Sequence, residues 1–94
     1  MSKFPEHIVR MRKFFSTMTN ENRLLIIEHL LDGPASVIEM AEAFNTPQCN
    51  VSRNAKDLYN AKLVTRRKES TNIIYKLSSD LAESVFLAVR RELS

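Results

Sequence analysis

Between Thr46 and Leu77 the apolar period of the chain changes once, and this change constrains the fold more than any other feature. Val51, Ala55 and Leu58 recur at helical spacing; at about 100° per residue they line one side of a helix. Cys49, Ser52, Arg53, Lys56 and Asn60 fall on the other side. Thr46 is placed to cap this helix and Pro47 to be its first residue. Beyond Ala61 the residues become β-prone. Leu63 to Lys68 and Asn72 to Leu77, separated by Glu69-Ser70-Thr71, predict a hairpin with a short polar tip.

The rest of the chain is helical in pattern. Phe4, Ile8, Met11, Phe15 and Met18 recur at helical spacing, with Pro5 in a first-turn position, which predicts a helix over 5–17. Asn20 caps a second, Glu21 to Leu31. Its Leu24, Leu25, Ile26, Ile27, Leu30 and Leu31 cover most of the circumference, so this helix is expected to be central and buried. Asp32-Gly33-Pro34 ends it. Ser36 and Glu39 form a capping box ahead of Val37 to Phe44, and Asn45-Thr46 is a tight connection to the next helix, 47–61. Ser79 caps a last helix over 80–93, with Leu81, Val85, Ala88 and Val89 on one face. A single glycine in 94 residues agrees with a mostly helical fold with few tight turns.

The expected architecture is one domain over 1–94, mainly α with a β-hairpin wing, in the order α-α-α-α-β-β-α. Two short helices joined by a tight turn (about 36–61) and then a basic hairpin (about 63–77) form the layout of a winged helix-turn-helix. Charge follows the same division. Residues 47–78 carry seven basic and two acidic side chains, while the remainder is net negative, the footprint of a surface that faces nucleic acid. No apolar run approaches the roughly 18 residues of a membrane span, and charged residues interrupt the N-terminal stretch, so the apolar core of a signal peptide is not expected there. One cysteine provides no disulfide framework, so a cytoplasmic location is expected. No Gly-rich phosphate loop, metal cluster or Ser/His/Asp set points to an enzyme.

Four segments carry a resemblance to the ArsR-type (arsenical-resistance-repressor) winged-helix regulators. Asn20-Glu21-Asn22-Arg23-Leu24-Leu25-Ile26-Ile27-Glu28-His29-Leu30 resembles that family's "D-P-x-R-L-x-I-L-x-x-L". Ser36 to Phe44 is similar to its "S-V-x-E-L-A-x-x-L", and Val51-Ser52-Arg53-Asn54-Ala55-Lys56-Asp57-Leu58 to its "V-S-x-H-L-x-x-L". Leu63-Val64 through Ile74-Tyr75-Lys76-Leu77 resembles its wing. Asn54-Ala55 stands in place of His-Leu, Asn45 in place of a common glycine, and Ser70 at the wing-tip glycine position. Ala55 implies a thinner core beneath the helix.

Many members of that family sense metals, through paired cysteines at the start of the third helix or Asp and His ligands along the last. Here those positions hold Val37-Ile38-Glu39, and Asp80, Glu83 and Glu92 without a histidine. Zinc and softer metals need thiolate or imidazole at close spacing, so no metal and no cofactor is expected. His7 and His29 read as surface or interface residues. Cys49 reads as a small residue where relatives carry Ser or Ala or, alternatively, as a thiol near a helix start whose oxidation would obstruct DNA contact, although no second thiol is present to resolve an oxidised one.

The resulting expectation is a sequence-specific dimeric transcriptional regulator, most simply a repressor at an inverted-repeat operator. Gln48, Cys49, Ser52, Arg53 and Lys56 face bases or flanking phosphates; Arg66, Arg67, Lys68, Thr71 and Asn72 hold the backbone at the wing. Ile8, Met11, Phe15, Leu81, Val85 and Val89 pair across a two-fold axis or, alternatively, pack the first helix on the last within one chain. Two rival functions use the same scaffold: an architectural DNA-binding protein of plasmid partition or excision type, and a protein-interaction winged helix that does not bind DNA.

Overall fold

The computed structural model describes residues 3–94; Met1 and Ser2, the start of the expected domain, lie outside the described residues. The elements are α1 (Glu6–Met18), α2 (Glu21–Leu30), β1 (Ala35–Ser36), α3 (Val37–Phe44), α4 (Gln48–Asn60), β2 (Val64–Glu69), β3 (Asn72–Leu77) and α5 (Asp80–Leu93). No described helix is long and apolar enough to cross a membrane.

The caps form where the side chains permit them. The Asn20 side chain accepts from the Asn22 amide at 2.7 Å and so starts α2. At α3 the Glu39 amide donates to Ser36 Oγ at 3.0 Å and the Ser36 amide donates back to Glu39 Oε1 at 3.4 Å, completing the box. Ser79 Oγ accepts from the Ala82 amide at 3.1 Å ahead of α5. Asn45 takes the left-handed conformation (φ 50°) that ends α3, a role in which its short polar side chain replaces glycine. Ser70 does the same at the wing tip with φ 59°.

The expected order lacked one strand. β1 pairs antiparallel with β3 (Ala35 opposite Tyr75, Ser36 opposite Ile74), so the hairpin is two-thirds of a three-stranded sheet ordered β1-β3-β2. Two residues display no alternation, and Ser36 already served as a helix cap, which is why the segment reads as a connection. The β2–β3 register runs from Val64 opposite Leu77 to Glu69 opposite Asn72, leaving Ser70-Thr71 as the turn.

The core lies where α2, α3 and α4 meet this sheet. Ile26, Ile27, Met40, Val51, Leu58 and Tyr75 are its largest fully buried side chains. Ala55 is buried beneath α4, as its place in the pattern required. Of the six apolar residues expected to bury α2, Ile26, Ile27 and Leu30 are buried and Leu24 and Leu31 half-buried, and the expectation is corrected at Leu25. Leu25 is 42% exposed, because only Ile26, Ile27 and Leu30 turn fully toward the sheet and α4.

Candidate nucleic-acid interface

α4 presents the surface that its period implies. Val51, Asn54, Ala55 and Leu58 are buried, whereas Gln48, Cys49, Ser52, Arg53, Lys56 and Asn60 are exposed. Its entry differs from the expected cap. Pro47 occupies the cap position, the helix starts at Gln48, and no side chain caps the first turn. Thr46 Oγ1 instead donates back to the Phe44 carbonyl at 3.1 Å, because the tight turn through Asn45 aims it toward α3. The first-turn amides of α4 therefore have no side-chain acceptor, and the positive end of the helix dipole faces outward.

Alternation along β2 divides the wing's basic residues between two faces. Val64, Arg66 and Lys68 share the face toward α4. The Arg66 guanidinium lies 4.1 Å over the centroid of the Tyr59 ring, near the C-terminal end of α4. Tyr75, its cross-strand partner, pushes the Arg66 pKa up from its ordinary value through a side-chain hydrogen bond; a guanidinium is charged at any physiological pH in either case. Arg67 points to the opposite face, where Nη2 meets Glu69 Oε2 at 3.0 Å in an exposed ion pair. At the tip, Thr71 and Asn72 line one cleft of about 340 Å³ together with Gln48, Cys49 and Ser52. The hairpin thus runs alongside α4, its root at Tyr59 and its tip at the helix N-terminus. Five of the ten expected DNA-facing residues are brought to that one cleft, and the other five are exposed on the same helix and on β2.

A polar node behind this surface was not identified from the sequence. Arg23 of α2 donates from Nη2 to Asp57 Oδ2 at 2.7 Å, from Nε to Asn54 Oδ1 at 3.3 Å and from Nη1 to the Thr17 carbonyl at 3.2 Å. Asn54 is 4% exposed, and its amide donates to the Asn50 carbonyl at 3.0 Å and to Asn50 Oδ1 at 2.8 Å. The signal was present in the spacing: Asn50, Asn54 and Asp57 form a stripe of acceptors at helical period between the apolar and the exposed faces. Arg23 lies too far away in sequence to be paired with them by pattern.

A second exposed surface is apolar. Ile8, Met11, Phe15, Leu81 and Val89 are exposed and Val85 is half-buried. Phe15 of α1 and Val85, Phe86 and Val89 of α5 wall a cleft of about 390 Å³ over Leu24 of α2. Leu25, expected to be buried, and Leu87, not assigned from the sequence, are exposed as well. Among the described residues no three His, Cys, Asp or Glu side chains are close enough to hold a metal ion. The exposed Cys49 has no thiol partner, and the His29 ring packs edge-on to Phe44 at 5.5 Å.

No family model matches the chain. HlyU, a transcriptional activator of Vibrio cholerae, is 34% identical over 74 residues, which cover 79% of this chain and 68% of HlyU. Its solved structure superimposes with a TM-score of 0.85 at 28% identity, covering 94% of this chain and 96% of that one. The HTH-type transcriptional regulator KmtR of Mycobacterium tuberculosis is 32% identical over 66 residues, 70% of this chain but only 51% of KmtR, so the chain spans about half of that relative's length. The fold, at 22% identity, is also that of the homodimeric winged helix-turn-helix DNA-binding domain of Mb0332 from Mycobacterium bovis, "a possible ArsR-family transcriptional regulator" (TM-score 0.80, covering 99% and 90%). The relatives are transcriptional regulators, and the helix, turn, helix and wing described above are the elements they share with this protein. The chain belongs to the ArsR-type winged helix-turn-helix transcriptional regulators.

Proposed function

We propose that this protein is a sequence-specific, dimeric DNA-binding repressor acting at an inverted-repeat operator in the cytoplasm, and that it has no enzymatic role. The observation that carries this reading is the shared cleft: hydrogen-bonding side chains of the first turns of α4 lie beside the wing tip, next to a helix N-terminus that no side chain caps. In the major groove Arg53 makes a bidentate contact to guanine, and Gln48 reads adenine. Cys49, Ser52 and Lys56 line bases or the adjoining phosphates. At the wing, Lys68, Thr71 and Asn72 contact the backbone directly. Arg67 exchanges Glu69 for a phosphate, an inexpensive step because an exposed ion pair contributes at most about 1 kcal/mol. Arg66 remains on Tyr59 and offers its outward N–H groups, since a guanidinium carries five donors.

The apolar surface of α1 and α5 pairs with that of a second copy through Ile8, Met11, Phe15, Leu81, Val85 and Val89. Large apolar side chains at 40–60% exposure over two helices are otherwise left in water. The homodimeric state of the Mb0332 domain supports this assignment. Two-fold symmetry then places two copies of α4 in successive major grooves, about one helical turn apart. The whole of 1–94 acts as one unit in this reading: helix-turn-helix at 36–61, wing at 63–77, pairing helices at 5–17 and 80–93.

Titration against random and genomic duplexes at two salt concentrations tests the proposal. A single tight footprint spanning two half-sites, with transcription falling as the site fills, is the expected result. Rising transcription would make the protein an activator. Cooperative spreading would favour an architectural role, and absence of binding a protein partner.

A further inference from the structure

Arg23 touches neither the exposed basic face nor the apolar one, yet its guanidinium joins three helices. Its Thr17 contact uses one of the last four carbonyls of α1, which have no partner within their own helix. Its Asp57 and Asn54 contacts grip α4 on a stripe beside Arg53, at the edge of the exposed face. The apolar seat of α4 is thin, since Ala55 is its central side chain and offers one methyl group. Apolar contacts of that kind resist separation but have little directionality, so they oppose sliding or rolling weakly. A guanidinium fork bonded to a carboxylate, an amide and a carbonyl is directional. Asn54 is itself fixed by Asn50, so the grip extends over eight residues of the helix, from Asn50 to Asp57.

We propose that Arg23 is a positioning residue for base reading. It sets the roll of α4 relative to α1, so that operator preference depends on a side chain that never reaches DNA. This rests on the DNA-reading assignment above. Charge-driven attraction to any duplex needs only the exposed cations, whereas base reading needs α4 held within about 0.5 Å. The two therefore separate when Arg23 is changed.

The test uses Arg23→Lys, which keeps the net charge but cannot reach three acceptors in different directions. The probes are a duplex recovered from a random pool by selection on the wild-type protein, and a scrambled version of it. The expected result is an affinity ratio between the two that contracts about tenfold, the discrimination of roughly one base contact. Affinity for the scrambled duplex and its salt slope stay unchanged. A purely structural role would lower the melting temperature and leave the ratio intact, because unfolding removes both activities equally. Asp57→Asn, at a half-exposed position, gives the same contraction and decides the matter if Arg23→Lys fails to fold. An unchanged ratio in a folded variant overturns the inference alone. A wild-type protein that prefers no duplex over its scramble removes the DNA-reading assignment first, and this inference with it.

Discussion

Helices α4 and α5 are nearly equal in length, 13 and 14 residues, but they are anchored in different ways. α4 buries Val51, Asn54, Ala55 and Leu58 and leaves a polar, basic face in water. α5 buries only Ala82 and leaves Leu81, Leu87, Val89 and Leu93 exposed. The exposed half of α4 is stable in water, because arginine, lysine and serine stay hydrated there. The exposed half of α5 is not, because each apolar side chain kept in water forgoes about 1.5–3 kcal/mol that burial would supply. The difference indicates what each surface awaits. In the proposed function α4 is complete as a folded element and waits for a polyanion, whereas α5 supplies half of an interface.

The sharpest way to break this contrast is to place a charge on the apolar side. Val89→Asp, which two-fold symmetry counts twice, is expected to weaken dimerisation by more than about 4 kcal/mol. Sedimentation equilibrium would show monomers at concentrations where the wild type is dimeric, and operator affinity would fall with it. If Val89→Asp remains dimeric, the α1–α5 surface is not the interface. On the α4 side, Leu58→Ala removes the fully buried end of its apolar seam and is expected to destabilise the fold by about 2–5 kcal/mol. The urea midpoint should drop at constant slope; a shift under 1 kcal/mol would mean that the core closes over the gap.

Two smaller effects separate reading from holding. Arg53→Ala is expected to cost about 1–3 kcal/mol on the preferred duplex and to relax one base position per half-site, with little change on scrambled DNA. Lys68→Ala is expected to weaken all duplexes alike and to reduce the log–log salt slope by about 0.9 per protomer. Selection profiles for the first variant and salt titrations for the second distinguish them. Interchange of the two outcomes would assign base reading to the wing instead of α4.

How much of this was legible in the sequence follows the same division. The amphipathic face of α4 emerged from spacing alone, because a single seam of Val51, Ala55 and Leu58 fixes which residues must face out. Ser36-Glu39 and Asn20 located two helix starts for the same reason: capping is a local bond between near neighbours. What stayed hidden was non-local. β1 is two residues long and exists only through its pairing with β3. Arg23 finds Asn54 and Asp57 across 31 and 34 residues, a distance that no periodicity spans. Thr46 reads as a cap by type, but the direction of its hydroxyl depends on the left-handed turn at Asn45. Arg66, Arg67 and Lys68 read as one basic run, yet pleating gives them different partners: Tyr59 for the first, Glu69 for the second.

Methylation interference on the selected duplex tests the central claim most directly, since guanine N7 is exposed only in the major groove. Methyl groups at N7 in each half-site should block the wild-type protein, and one of those positions should become indifferent in Arg53→Ala. Binding that tolerates N7 methylation throughout, but is lost when adenine N3 in the minor groove is methylated, would contradict the assignment of α4 as the reading helix.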